Sequence, residues 1–150
     1  MSKQFLLAID LGTSACKITI FDYNGQIAAS WTGEYPTNYP QAGWVEQDPR
    51  LWWQVACQGI NTALANSGIS AGDIAAVGVD GTSWACIALD KNGEPLRPAM
   101  LWLDRRAQAQ ADWMKEKVGE ERLLKTNGNP VDPAYITPKI LWMQEHEPEL

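Results

Sequence analysis

The sequence is poor in residues on which several common chemistries depend. It has one histidine in 150 residues. No second histidine completes a metal site with His146, and no Ser–His–acid arrangement follows from it. The three cysteines, Cys16, Cys57 and Cys86, are odd in number, far apart and set among apolar neighbours. They form neither a disulfide framework nor a zinc knuckle, and read as small buried thiols of a cytoplasmic protein. Basic residues are outnumbered, 12 against 18 acidic, for a net charge of -6. That balance argues against a nucleic-acid or anionic-membrane surface, both of which need clustered Lys and Arg. No apolar run approaches the ~20 residues that span a bilayer. Met1-Ser2-Lys3-Gln4 leads straight into a strand-like run, so no signal peptide is expected. There is no internal repeat, low-complexity tract or linker. The Rossmann glycine pattern and the Walker A pattern are both missing.

What remains is an ordinary globular composition, 45% hydrophobic and 20% charged, long enough for one domain with a real core. The stretch with most chemical content lies near the N-terminus, Ile9-Asp10-Leu11-Gly12-Thr13-Ser14-Ala15-Cys16-Lys17. An apolar run stops at a carboxylate, a Gly/hydroxyl turn follows, and a second apolar run returns. Gly12 permits close backbone approach, and the backbone N–H groups with the Thr13 and Ser14 hydroxyls suit phosphate oxygens. Lys17 adds a point charge, and Asp10 suits Mg²⁺ held through water. The alternative is a plain Asp-x-Gly hairpin that only joins two strands.

The spacing predicts strands over 4–10, 17–22 and 26–32, with Asn24-Gly25 as a type I′ hairpin turn. Residues 33–47 read as irregular loop. Asp48-Pro49 opens a helix as N-cap and first position, with Trp52, Val55, Ala56, Ile60, Ala63 and Leu64 on its apolar face and Ser67-Gly68 at its end. Further strands are expected at 74–80, 84–90 and 100–103. Asp104 is a candidate cap for a helix through Trp113 to about Val118, followed by a short helix over 119–125 and a loop to Pro133. Thr137-Pro138 opens a last helix that stops before Pro148. No strand follows it, as expected of a piece of a longer chain.

Two more stretches carry possible chemistry. Gly78-Val79-Asp80-Gly81-Thr82-Ser83-Trp84 repeats the grammar of apolar strand, acid, Gly and hydroxyls, and otherwise reads as a surface turn. In Leu101-Trp102-Leu103-Asp104-Arg105-Arg106, an indole, a carboxylate and a guanidinium suit a polyol. The plain reading makes Trp102 core, Asp104 a cap and the two arginines a solvated first turn. Asp90-Lys91-Asn92-Gly93-Glu94 has its Gly and Glu at the wrong positions for a calcium loop. Glu145, Glu147 and Glu149 read as a solvated acidic end.

Taken in order, these stretches resemble the N-terminal part of the FGGY carbohydrate kinases. Residues 9–14 are similar to the first phosphate motif of the actin/hexokinase-type fold. Gly43-Trp44-Val45-Glu46-Gln47-Asp48-Pro49 with Trp52-Trp53 resembles the segment that opens the first long helix of xylulokinases. Residues 95–106 resemble the family's Pro-Leu-x-Pro-Ala-x-x-Trp-x-Asp-x-Arg run, and Asn127-Gly128-Asn129-Pro130 and Pro138-Lys139-Ile140-Leu141-Trp142 are similar in style. The resemblance covers nearly all of the chain.

It implies an α/β fold of the actin/hexokinase type (ribonuclease H-like), a mixed sheet with N-terminal β-hairpins and flanking helices. Residues 1–150 would be the first part of the N-terminal kinase domain. The implied reaction is ATP-dependent phosphorylation of a sugar hydroxyl, with ATP and Mg²⁺ as cofactors and a pentulose such as xylulose as acceptor. Asp10, Gly12, Thr13, Ser14 and Lys17 would hold the phosphates and Asp10 the metal. Ser83 and Trp84 fall where the family places a pair of sugar contacts, Trp102, Asp104 and Arg105 line the same cleft, and Tyr135 joins from the segment before the last helix. The base aspartate lies downstream of Leu150. The implied protein is cytoplasmic, takes small-molecule partners only, and is compatible with a homodimer. One departure matters: xylulokinases usually carry Gln-Met-His at Thr82-Ser83-Trp84, and glycerol kinases Gln-Arg-Glu. The sugar therefore stays open among xylulose, ribulose, other ketoses, sugar acids and polyols such as glycerol. A non-catalytic actin-fold relative and a carbohydrate-binding module are the readings from other classes.

Overall fold

The computed structural model describes residues 4–150. The leader-free start read at residues 1–3 lies outside the described residues. In chain order the elements are β1 (Phe5–Leu11), β2 (Ala15–Asp22), β3 (Ile27–Glu34), β4 (Glu46–Gln47), α1 (Pro49–Ser67), β5 (Ile74–Gly81), β6 (Ala99–Met100), α2 (Gln108–Val118), α3 (Glu120–Asn127) and α4 (Ile136–His146). They divide into two compact units, one running to Pro36 with Arg50–Thr82, the other Thr37–Pro49 with Ser83–Leu150.

The first unit is a four-stranded sheet in the order β3-β2-β1-β5. The β1–β2 and β2–β3 pairs are antiparallel and β1–β5 is parallel. Alternation in the sequence explains which face is buried. Leu7, Cys16, Ile18 and Ile20 are buried on one face, where Ala56 and Ala63 of α1 join the same core. The small residues on α1 allow close packing. A Cβ on Gly59 would lie 2.3 Å from the Trp31 ring and 2.6 Å from Ile18, and one on Gly33 would lie 2.1 Å from the same ring. Trp31 thus occupies space that both glycines leave open. Gly59→Ala gains up to ~1 kcal/mol of helix propensity, but overpacking costs about 1–3 kcal/mol. At these distances the clash wins, so urea denaturation should show net destabilisation.

The first hairpin differs from expectation in turn type. Among the described residues Trp84 is the only non-glycine with positive φ, so Asn24 is not left-handed as a type I′ turn requires. Instead Gly25 N–H donates to the Asp22 carbonyl, Gly25 takes φ 79°, and the β2–β3 register slips beside the turn. Asp22 accepts from the backbone N–H groups of Asn24 and Gln26, which holds its carboxyl below the usual range, the Gln26 bond contributing most. The same Asp-x-Asn-Gly spelling at 90–93 forms the same device, with Asn92 and Glu94 donating to Asp90.

The second unit is mostly helical, with β4 and β6 as a two-stranded antiparallel pair. The strand expected over 84–90 is reduced to isolated bridges, Cys86 to Met100 and Leu89 to Pro95. The opposing segment contains Pro95 and Pro98, which have no N–H to donate, so no ladder extends there. Likewise 100–103 is strand only to Met100, because Leu101 N–H turns to Val45 O. α2 begins at Gln108 with Ala107 as its cap, so Asp104 is not the N-cap. α3 runs on to Asn127 and stops at Gly128 in the left-handed region. The acidic end is not wholly solvated: Glu147 pairs with Arg97 at 2.6 Å, and Glu145 accepts from Gln110 at 2.6 Å. No helix among the described residues is long and apolar enough to cross a membrane.

Candidate active site

In the first unit the chemistry sits where β1 turns into β2. Asp10 pairs in register with Lys17 on β2 and with Asp80 on β5. Residues paired this way leave a sheet on the same face, so one cation and two carboxylates form a row across three strands. All three side chains are exposed. Asp80, read from sequence only as part of a second turn, is therefore the lateral neighbour of Asp10. Two exposed carboxylates on adjacent strands supply the hard oxygen donors that Mg²⁺ takes alongside its water.

The turn beside this row is held from two sides. Thr82 donates to the Leu11 carbonyl through its N–H at 2.9 Å and its hydroxyl at 2.8 Å. The Tyr35 hydroxyl donates to the Gly12 carbonyl, and Tyr35 N–H to the Ser14 carbonyl. Gly12 spends its own N–H on the Ala15 carbonyl, so it shapes the turn instead of offering that donor to a phosphate. A Cβ there would lie 3.2 Å from the Ala15 oxygen. Thr13 and the exposed Ser14 form the tip.

The sequence marks Thr82 only as a hydroxyl of the second turn and gives Tyr35 no role. A tyrosine at the edge of a Pro/Gly-rich loop gives no sign that it folds back onto a turn 23 residues earlier. Burial first, and then the nearby Cys16 and Asp10, push the Tyr35 phenol up to about 12. Its folded value lies above its ordinary one, so its contribution is complete below pH ~10 and is lost as pH climbs toward ~12. Tyr35→Phe should cost about 1 kcal/mol in denaturant titrations at neutral pH. It should also flatten the alkaline loss of stability.

In the second unit, Trp84 stands out. Its φ is 57°, and its indole meets the Tyr135 ring edge-on at 4.6 Å. A bulky residue in the left-handed region costs of order 1–3 kcal/mol, and such strain clusters at functional sites. Trp84 is 44% exposed and Trp102 41%, so neither is wholly core. A pocket of about 160 Å³ lies against Trp84, Tyr135, Asn129 and Val131. Ser83 is exposed. Arg105 is half exposed and pairs with Asp132 at 2.6 Å, within reach of solvent.

Asp104 departs from its expected place lining a cleft. It is fully buried. Its oxygens accept from Val45 N–H at 2.7 Å and from Arg106 through the backbone N–H at 3.0 Å and Nη2 at 2.7 Å. It fastens the 43–47 segment to the 101–106 segment from behind. Arg106, expected to be solvated, is buried with it. Its guanidinium lies 3.7 Å from the Trp44 ring centroid and also pairs with Glu46 at 2.7 Å.

The sequence marks Lys139 only as part of the Pro138–Trp142 run. It sits on the buried face of α4 with Pro138 and Trp142, and is itself fully buried. Its ammonium donates to the carbonyls of Trp84 at 2.9 Å, Leu101 at 2.6 Å and Ala134 at 2.6 Å. A lysine at an apolar helix position was the available signal.

A mixed sheet with N-terminal hairpins and flanking helices, an acid-ended first strand and a tryptophan-bearing helical unit define an α/β fold of the actin/hexokinase-type sugar kinases. The family model for the N-terminal domain of the FGGY family of carbohydrate kinases matches residues 5–150, and the chain belongs to that family. It is 36% identical to the xylulose kinase of Bacillus subtilis (strain 168) over 147 residues, 98% of this chain and 29% of that protein. It is also 36% identical to the glycerol kinase of Rhizobium meliloti (strain 1021) over 140 residues, 93% of this chain and 28% of that protein. The solved xylulose kinase of Rhodospirillum rubrum superposes with a TM-score of 0.92 at 25% identity, covering 97% of this chain and 30% of that one. The chain thus spans under a third of the length of these relatives.

Proposed function

We propose that this chain supplies the first part of the N-terminal domain of an ATP-dependent sugar kinase acting on a ketopentose such as xylulose. The observation that carries the reading is the row of Lys17, Asp10 and Asp80 beside the turn pinned by Tyr35 and Thr82. A turn fixed from both sides suits a reaction whose catalysis is almost entirely positioning and charge stabilisation. Bound ATP would bring the phosphoryl group, and Mg²⁺ would spread its charge.

The residues of this chain hold and orient. Thr13 and Ser14 present hydroxyls to phosphate oxygens, Gly12 keeps the turn tight, and Lys17 balances charge. Asp10 would hold the metal through water, with Asp80 beside it. Ser83, Trp84, Trp102, Arg105 and Tyr135 form the sugar wall, where indole and phenol faces cover C–H surface and polar groups read hydroxyls. Asp104 acts on that wall through the segment it fastens. The aspartate that takes the sugar proton comes from sequence beyond Leu150. The setting is the cytoplasm.

Glycerol is the second candidate acceptor, favoured by a relative of that name at equal identity. Sugar-dependent ADP formation by the full-length protein across xylulose, ribulose, gluconate and glycerol tests the reading. Turnover strongest with xylulose is expected; turnover with glycerol alone replaces the sugar, and turnover with none removes the kinase.

A further inference from the structure

We propose that Lys139 is a positioning residue for the sugar wall: a single buried ammonium that fixes Trp84, Trp102 and Tyr135 relative to one another. This rests on the kinase reading for what the wall binds, but not for the clip itself.

The three acceptors of Lys139 carry the inference. One is the carbonyl of Trp84 itself, another belongs to Leu101, directly before Trp102, and the third to Ala134, directly before Tyr135. Three chain segments, distant in sequence, thus converge through one nitrogen, and each delivers one aromatic of the wall. An ammonium has three donors, and all three are used. A buried lysine whose only task was to fill volume would need no such arrangement, because an apolar side chain fills volume without desolvating a charge. Trp84 adds a second observation. Its left-handed backbone is held on one side by the Lys139 bond to its carbonyl and on the other by the Tyr135 ring.

Charge state then matters. Burial first of all lowers the Lys139 amine from 10.5 to about 8, opposed chiefly by Asp104. The groups facing it are Asp104 and Arg106 from the segment after β6, Cys86 from the segment after β5, and Asp132 from the loop before α4. Burial raises the Cys86 thiol above 9.0, so the thiol keeps its proton where the amine loses its own. A neutral amine has two N–H donors for three carbonyls, and one segment is released. Global stability moves the other way. Between about 8 and 10.5 the unfolded chain binds the proton that the folded chain has lost, so stability rises with pH.

The test is the sugar KM of the full-length kinase from pH 7 to 9, alongside its urea midpoint and the indole N–H resonances of Trp84 and Trp102. In the wild type the sugar KM should rise above pH ~8 while the urea midpoint does not fall, opposite directions that a merely structural lysine does not give. Both indole resonances should shift together with one midpoint near that pH. In Lys139→Met the sugar KM at pH 7 should be raised by up to ~10²-fold, as expected for misplacement on the order of 1 Å. The KM for ATP should be unchanged, and the pH dependence of the sugar KM should disappear. A wild-type sugar KM and indole resonances that stay flat from pH 7 to 9 overturn the proposal, as does a Lys139→Met enzyme with the wild-type sugar KM. If Lys139→Met does not fold, the wild-type titrations decide. If no sugar is turned over, the kinase reading fails, and the paired indole titration still decides the clip.

Discussion

Asp10→Asn in the full-length kinase should lower turnover by ~10²–10⁴-fold, from losing several kcal/mol of metal-borne charge stabilisation. The sugar KM should scarcely change. Asn has the shape of Asp, so the hairpin and its Tyr35 and Thr82 bonds have no reason to move. What disappears is one of two carboxylates that lie side by side on β1 and β5. Asn removes a repulsion with Asp80 and an attraction to Lys17 together, so the denaturation midpoint should scarcely move. Asp80→Asn should act in the same direction but less, since Asp80 also accepts from the Gly81 N–H at 2.9 Å. If both carboxylates serve one ion, the double variant should lose less than the product of the single losses. Turnover unchanged in Asp10→Asn would remove the metal role.

Asp104→Ala should destabilise the second unit strongly, by about 3–5 kcal/mol. The Asp104–Arg106 pair is essentially dry, with side-chain exposures of 0% and 1%, so solvent screening does not weaken it. Truncation strands the Arg106 guanidinium and the Val45 N–H together. Glu46 still holds Arg106, but Glu46 is shared with Arg97, which places the loss toward the lower end of that range. In a chain of 150 residues this corresponds to a melting temperature lower by roughly 6–20 °C. Asp132→Ala is the control. Its pair with Arg105 is half exposed, and such pairs are worth about 1 kcal/mol or less. Equal losses in the two variants would contradict the buried role of Asp104.

Much of the first unit was legible because local and tertiary signals agree there. The strands around Asp10, the helix opening at Pro49 and the strand that carries Asp80 each combine a clear period with matching end residues. The strand expected over 84–90 did not form, for the opposite reason. An apolar run there has the spelling of a strand, yet its partner segment lacks donors at Pro95 and Pro98. Pairing needs two compatible segments, and a period describes only one. The turn at Asn24-Gly25 failed more narrowly, because the Asp22 side chain stabilises a different turn from the one the dipeptide favours alone.

Sequence alone therefore determined the family resemblance, the α/β class and the acid-ended first turn around Asp10, since these depend on residues close together in the chain. Tertiary structure decided that Asp80 stands beside Asp10, that Asp104 is a buried fastener, and that Lys139 bonds the carbonyls of three separate segments. Register, burial and hydrogen-bond partners between distant segments are set by packing. A residue's identity limits which bonds it can make, but only the fold chooses among them.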